Sequence, residues 1–214
     1  SVVALGFFLA HHRRESPSTA NRFAVRVAGL GYAIPGGVIA IGVLGPLWWF
    51  ENGVNEFTER VLGWSPGLFL SGTIFAVLFG YQVRFLAIPL NVVGAGFERI
   101  RFSIDDAAKT LGTSRLRLLW SVHLPLLRGS LVCAALMVFV DVLKELPATL
   151  ILRPFNFDTL AVRVYQLASD ERLSEASTGA LAIILAGLIP VVLLTRMLKS
   201  SYVSPSTSGG GAGT

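Results

Sequence analysis

Three charged side chains stand together in an otherwise apolar stretch, residues 130–152. Offsets of three and four place Asp141, Lys144 and Glu145 on one face of a predicted helix. Charges inside an apolar span are costly and normally face a polar path or one another. One interpretation is a translocation path or gate for a polar solute, with Pro147 breaking the helix beside it. The other is an ion pair of Lys144 with Asp141 or Glu145 that only neutralises itself.

A second set of residues with regular spacing lies in the polar loop at residues 93–129. Its members are Asp106, Ala107, Ala108, Gly112, Val122, Leu124 and Pro125. The pattern predicts two short helices, because Gly112 suits a left-handed C-cap and Ser114 can cap the helix after it. The small side chains between them would let the surface of another protein approach closely.

Capping residues predict where these two helices begin and end. Ser103 is expected to cap the first, whose initial residues Asp105 and Asp106 suit the positive end of the helix dipole. Pro125 is expected to end the second, because it lacks a backbone N–H.

No residue set is typical of an enzyme or a metal site. The single cysteine, Cys133, excludes a disulfide framework. His11 and His12 are neighbours in a predicted loop and His123 stands within the motif, so no metal site is predicted. The chain has no Gly-x4-Gly-Lys-Ser/Thr loop, so it is not expected to hydrolyse ATP, and we expect it to bind no cofactor.

Other polar side chains in the apolar stretches are given structural roles. The stem of Arg84 is expected to extend to the membrane interface. Tyr32, Tyr81 and Tyr165 could bind a ferric ion as phenolates, but packing or interfacial positions are the more common use of such residues.

The elements that position these residues must be surrounded by lipid. Of the 214 residues 53% are hydrophobic and 14% charged, against about 25% charged in a soluble domain. A water-soluble enzyme is therefore excluded. The net charge of +5 is interrupted by long apolar runs, which favours loops of a membrane protein over a nucleic-acid surface.

Four apolar segments are long enough to span a bilayer as helices: residues 24–50, 68–92, 130–152 and 179–198. A truncated span at 2–10 precedes them, so we predict an all-α integral membrane bundle of about five spans. Kinks or a discontinuous helix are expected at 35–37 and 45–46. The membrane domain is assigned to residues 1–200, and 201–214 is predicted to be a disordered tail.

The basic residues predict the orientation. Eleven Lys and Arg lie in 11–23, 93–129 and the C-terminal end, against four in the alternating segments 51–67 and 153–178. The positive-inside rule places the loop 93–129 and the C-terminus in the cytoplasm.

The loop motif resembles E-A-A-x3-G-x9-I-x-L-P, the cytoplasmic-loop pattern of the membrane subunits of bacterial ATP-binding-cassette (ABC) importers. Asp106 replaces Glu and Val122 replaces Ile, which keeps charge or shape. Further segments resemble the C-terminal half of ferric-iron importer permeases: 31–36, 83–85, 144–149, 157–161 and 168–173.

This resemblance implies a type I (MetI-like) importer permease in the bacterial inner membrane, working by alternating access. Its loop would couple to a separate ATPase dimer that binds ATP and Mg²⁺. A periplasmic substrate-binding protein and a second permease half, fused or separate, are the other expected partners. Ferric iron is the expected substrate.

Two alternatives remain open. Permeases for thiamine, phosphonate, sulfate, molybdate or polyamine share the loop motif. A secondary transporter driven by an ion gradient, with Asp141, Lys144 and Glu145 as its coupling site, would give the loop motif no role.

Overall fold

A computed structural model describes residues 1–15 and 18–202, which form helices and no strand. The α-helices, in chain order, are α1 Val2–Glu15, α2 Thr19–Leu30, α3 Gly36–Leu62, α4 Ile74–Phe85, α5 Ala87–Glu98, α6 Phe102–Thr110, α7 Arg115–Leu118, α8 Leu124–Leu143, α9 Pro147–Leu152, α10 Leu160–Ser169 and α11 Leu173–Tyr202. The predicted tail, 201–214, lies outside the described residues apart from the last two residues of α11.

Three helices in the described part of the chain are long and apolar enough to span a membrane: Gly36–Leu62, Arg115–Leu143 and Leu173–Arg196. The pair α4 and α5, bent by 47° at their junction, makes a fourth if it counts as one span. Only 6% of the apolar window of α11 is buried within the chain. Such a surface requires lipid or another apolar partner around it, so the predicted multi-span helical fold is confirmed.

The first complete span has other boundaries than those predicted. Residues 31–35 separate α2 from α3, which confirms a break near Pro35. At 45–46 the helix is not discontinuous, because α3 continues through Pro46 to Leu62. Residues 51–62, expected in an outer loop, therefore extend this helix.

A buried carboxylate attaches the far half of α3 to the segment that follows it. Glu51 is fully buried and accepts hydrogen bonds from the backbone N–H groups of Leu70 and Ser71, the latter at 2.7 Å. Two N–H donors on one carboxylate satisfy backbone groups that would otherwise lack partners. The sequence predicted Glu51 only as part of the segment 51–67 and gave no sign of this role.

Two apolar clusters form the core. One joins α3, α4 and α9 around Val77, Phe85 and Leu152. The other joins α1, α5 and α8 around Phe97 and Leu127. Helices α10 and α11 pack on each other, and α11 also packs on α8.

Candidate functional site

The loop motif forms two short helices joined by a tight turn. Gly112 has φ of +74°, the left-handed conformation predicted for it, and Ser114 Oγ accepts the N–H of Arg117 as the N-cap of α7. The Ser103 prediction is wrong, because α6 already begins at Phe102. Its N-cap residue Arg101 makes no side-chain cap.

The second helix of the motif does not end at Pro125. Residues Leu119–His123 form a π-helical turn between α7 and α8, so Arg115–Leu143 is continuous. Pro125 lies in the first turn of α8. A π turn widens the helix at this point, where a proline ring and its missing N–H would disturb regular α-helical bonding.

The motif residues lie mainly at the surface. Asp106, Ala107, Gly112 and Pro125 are exposed, and the other three are partly buried. Large apolar side chains stand exposed around them: Phe102, Ile104, Leu111, Leu116 and Trp120. A polar loop that exposes so many apolar side chains has the composition of a protein-binding surface.

Beneath this surface lies a group of polar side chains that we name the loop cluster: His11, Arg14, Asp105 and His123. Arg14 Nε lies 2.8 Å from Asp105 Oδ2, and both side chains are over 90% buried. The other nitrogens of Arg14 donate to the carbonyls of Phe97, at 2.5 Å, and Ile100, at 2.9 Å.

The second oxygen of Asp105 accepts a hydrogen bond from His123 Nε2 at 2.9 Å. Burial alone would raise the pKa of Asp105, but the hydrogen bonds from Arg14 and His123 outweigh it and hold this pKa below its ordinary value. The carboxyl is therefore ionised, and the cluster holds a buried ion pair.

Histidine rings complete the loop cluster on the side of α1. His11 Nδ1 lies 3.3 Å from His123 Nδ1. Burial lowers the pKa of His11, with the charge of Glu15 opposing this effect. His11 and His12 were expected in a loop, but both lie in α1. Among the described residues no group of three metal-binding side chains is arranged to hold a metal ion.

The three charges that were predicted to share one helix face pair with different partners. Asp141 lies in the last turn of α8, where Lys144 Nζ approaches its Oδ1 at 2.9 Å. The helix ends at Leu143, because Pro147 lacks the N–H that would bond there. Lys144 and Glu145 therefore lie beyond the end of α8, and the prediction that all three charges share one helix face is wrong. Pro147 begins α9.

Glu145 pairs instead with Arg84, whose Nε lies 2.8 Å from Glu145 Oε2. Glu145 Oε1 also accepts the N–H of Ala148 at 3.1 Å, and Arg84 Nη1 donates to the carbonyl of Ile34 at 2.8 Å. Arg84 therefore extends inward, which contradicts its predicted interfacial position. A Cβ at Gly36 would lie 2.5 Å from Glu145 Oε1, so only glycine allows this approach.

We name this group of side chains the break cluster, because its members connect three interruptions of helices: 31–35, the bend at Leu86 and 144–146. Its members are Tyr32, Arg84, Asp141, Lys144 and Glu145. Tyr32 donates its phenol hydrogen to Asp141 Oδ2 at 3.0 Å, so Tyr32 is not merely a packing residue. The sequence predicted the charges but did not identify Arg84 and Tyr32 as their partners, because the pairs are far apart along the chain.

Comparison with known proteins gives a family match over nearly the whole chain. The family described as binding-protein-dependent transport system inner membrane component matches residues 2–202. The Fe(3+)-transport system permease protein FbpB 2 of Haemophilus influenzae is 26% identical over 171 residues, which are 80% of this chain and 31% of the relative. The maltodextrin transport system permease protein MalD of Streptococcus pneumoniae is 30% identical over 59% of this chain and 46% of the relative.

The putative 2-aminoethylphosphonate permease PhnV of Salmonella typhimurium is 27% identical over 65% of this chain and 53% of its own. Among solved structures, a bacterial alginate ABC transporter in complex with its alginate-bound periplasmic protein matches at a TM-score of 0.66. That match has 14% identity and covers 95% of this chain and 74% of the other. The chain thus spans about a third to a half of the curated relatives named here, and the structural match supports the fold.

Proposed function

Because the chain belongs to the family of binding-protein-dependent transport system inner membrane components, we propose that it forms a membrane-spanning part of an ATP-driven ABC importer. The observation that carries this proposal is the exposed loop motif of α6 and α7, within a chain that matches the family over residues 2–202. This part acts by alternating access and catalyses no reaction itself.

The loop 93–129 is the docking surface for a separate ATPase dimer, which binds ATP and Mg²⁺. The small residues Ala107 and Gly112 allow the surface of the partner to approach closely, and Leu111 and Leu116 offer apolar contact area. In this arrangement the loop and the C-terminus face the cytoplasm. A substrate-binding protein delivers the solute on the opposite side, and a second permease half completes the translocation path.

The charges at the end of α8 contribute to that path or its gate. Lys144 keeps 64% of its side chain exposed while it pairs with Asp141, so a solute or the second half can reach it. Glu145 and Pro147 shape the adjoining break. The position of these charges supports a role in the path, because they lie at an interruption of helices, where backbone and polar side chains can line an aqueous space.

Ferric iron is our proposed substrate. Ferric permeases are among the relatives, but so are permeases named for maltodextrin and 2-aminoethylphosphonate. Uptake of radioactive ferric ion by cells that express the complete transporter is expected, with excess maltodextrin or 2-aminoethylphosphonate giving no competition. Competition by either compound would assign the transporter to that solute.

A pair of glycines allows a matched test of the docking surface. Gly112 and Gly63 both have positive φ, +74° and +66°, and neither has an atom within 4 Å of an added Cβ. Aspartate should strain both backbones similarly, but only Gly112→Asp adds bulk to the loop motif. We expect Gly112→Asp to abolish co-purification of the ATPase and uptake, while Gly63→Asp retains both.

A third variant removes backbone strain from this test. Ala107→Arg places a long side chain on the exposed face of α6, where arginine is well tolerated in a helix. Loss of the ATPase from this variant, with normal membrane insertion, supports docking at the loop. Normal co-purification and uptake in both loop variants would contradict it, and uptake that persists without the ATPase would favour an ion-gradient transporter.

A further inference from the structure

Helix α6 has a single buried residue through which it is bonded to the rest of the chain. The structure describes every residue of this helix, and among them only Asp105 is buried. Its neighbours on α6 are exposed or partly exposed, including Asp106, Ala107 and Ala108 of the motif. A force applied to the exposed face of α6 therefore reaches the rest of the chain mainly through Asp105 and the flanking turns.

Arg14 connects Asp105 to two other helices. Its guanidinium contacts Asp105 of α6 and the carbonyls of Phe97, in α5, and Ile100, in the turn after α5, and Arg14 itself belongs to α1. The planar, five-donor head group of arginine fixes the direction of all these bonds at once. Its guanidinium carbon also lies 4.4 Å from the ring centroid of Phe102, in the first turn of α6.

His123 connects the other oxygen of Asp105 to the start of the long span. A carboxylate only accepts, so His123 Nε2 carries the proton of the 2.9 Å bond. The other ring nitrogen, His123 Nδ1, lies 3.3 Å from His11 Nδ1, which leads back to α1. The Asp105 carboxylate is thus bonded directly to α1 through Arg14. Through His123 it is also connected to the start of α8 and, by way of His11, to α1 a second time.

We propose that Asp105 is the positioning residue that locks α6 to α1 and α8, so that α6 and α1 move as one body when the ATPase closes. This rests on the proposed docking of the ATPase at α6. The lock gives the loop a rigid connection to the membrane-embedded helices that the flanking turns alone do not provide.

The test removes the direct connection of α6 to α1 through Arg14 without leaving a buried charge. The double variant Arg14→Met/Asp105→Asn has no unpaired ion, and the new amide oxygen can still accept from His123. The complete transporter, assembled with its ATPase and binding protein in lipid discs, carries spin labels at His12→Cys and Lys109→Cys in a Cys133→Ala background. The label distance is measured without nucleotide and with ATP trapped on a hydrolysis-deficient ATPase. Solute uptake per ATP hydrolysed is measured in parallel with active ATPase.

With Arg14 and Asp105 intact, the distance between α1 and α6 should be the same in both states. In the double variant it should shift or broaden when ATP binds, and uptake per ATP should fall about three- to tenfold. Arg13→Gln is the matched control, because Arg13 is the neighbouring residue but forms an exposed pair with Glu98. It should leave both readouts unchanged.

Two results would overturn the lock: an ATP-dependent change of distance with Arg14 and Asp105 intact, or a double variant that keeps both the distance and the uptake ratio. If the double variant fails to assemble, the label distance and the uptake ratio are measured in Arg14→Lys instead. Lysine keeps the positive charge but not the forked set of donors of the guanidinium. Failure of the docking proposal is distinguishable, because the transporter with Arg14 and Asp105 intact would then not retain its ATPase.

Discussion

The loop cluster and the break cluster both contain an arginine against a carboxylate, but they differ in what surrounds that pair. Arg14 and Asp105 are enclosed and bonded to protein groups on every side. In the break cluster, Arg84 and Glu145 are largely enclosed, whereas Lys144 beside them is exposed. Enclosed charges can only hold elements in position, while exposed charges at a helix break remain free to meet a solute or a partner.

The largest effect is expected where the enclosure is most complete. Arg14→Gln leaves Asp105 buried without its cation, which costs about 3–5 kcal/mol in comparable sites. The thermal midpoint in detergent, followed by tryptophan fluorescence, should fall sharply or the protein should fail to accumulate. Arg13→Gln, which breaks only the exposed pair with Glu98, should change stability by less than about 0.5 kcal/mol. Equal effects would show that the enclosure of Arg14 and Asp105 adds nothing to the stability that this pair provides.

An intermediate effect is expected in the enclosed half of the break cluster. Glu145→Gln keeps the shape of the side chain but removes the charge that faces Arg84 and weakens the bond to the Ala148 N–H. We expect a loss of about 1–3 kcal/mol, seen as a lower thermal midpoint. Gly36→Ala, which pushes a methyl group against the same carboxylate, should act in the same direction. A neutral Glu145→Gln would mean that this pair does not support the break.

A smaller effect on stability is expected in the loop cluster when the pH is lowered. Burial lowers the pKa of His11, with Glu15 and Asp105 raising it and His123 and His12 adding to the decrease. As the pH falls through about 6.5, the unfolded chain takes up this proton before the folded chain does. Stability should therefore decrease from pH 7 toward pH 5.

Thermal midpoints at both pH values check this, and His11→Asn should reduce the pH dependence. The lowered pKa of Asp105 acts in the same sense only at more acidic pH, near and below the ordinary range of carboxyls. A midpoint that rises as the pH falls from 7 to 5 would contradict the assigned direction.

The sequence could predict those features of the molecule that depend on local spacing. Gly112, Ser114 and the pairing of Lys144 with Asp141 follow from neighbours three or four residues away, and the apolar runs predict the multi-span fold. Periodicity does not report contacts between distant segments. Arg14 and Asp105, 91 residues apart, and Arg84 and Glu145 meet only because the helices pack together.

Helix boundaries failed for a related reason. Pro46 and Pro125 were taken as interruptions from local chemistry, but α3 continues through one and a π turn accommodates the other. Pro147 was expected to break a helix beyond the charges, and the interruption, at 144–146, instead includes Lys144 and Glu145. A proline disturbs the carbonyl four residues before it, so its effect depends on how tertiary packing supports that preceding turn.

The smallest effect on stability, and the sharpest difference between the clusters, is expected at the exposed end of the break cluster. Lys144 and Asp141 form an i,i+3 pair with Lys144 64% exposed, and such pairs contribute about 0–1 kcal/mol. Lys144→Gln and Asp141→Asn should therefore insert and melt almost as the unmodified protein does. If these charges line the path, uptake should still fall, and the ATPase should remain bound because α6 is untouched. Unimpaired uptake in both variants would mean that the two charges only neutralise each other. Lost uptake with an unchanged thermal midpoint would mean that they act on the solute in the path.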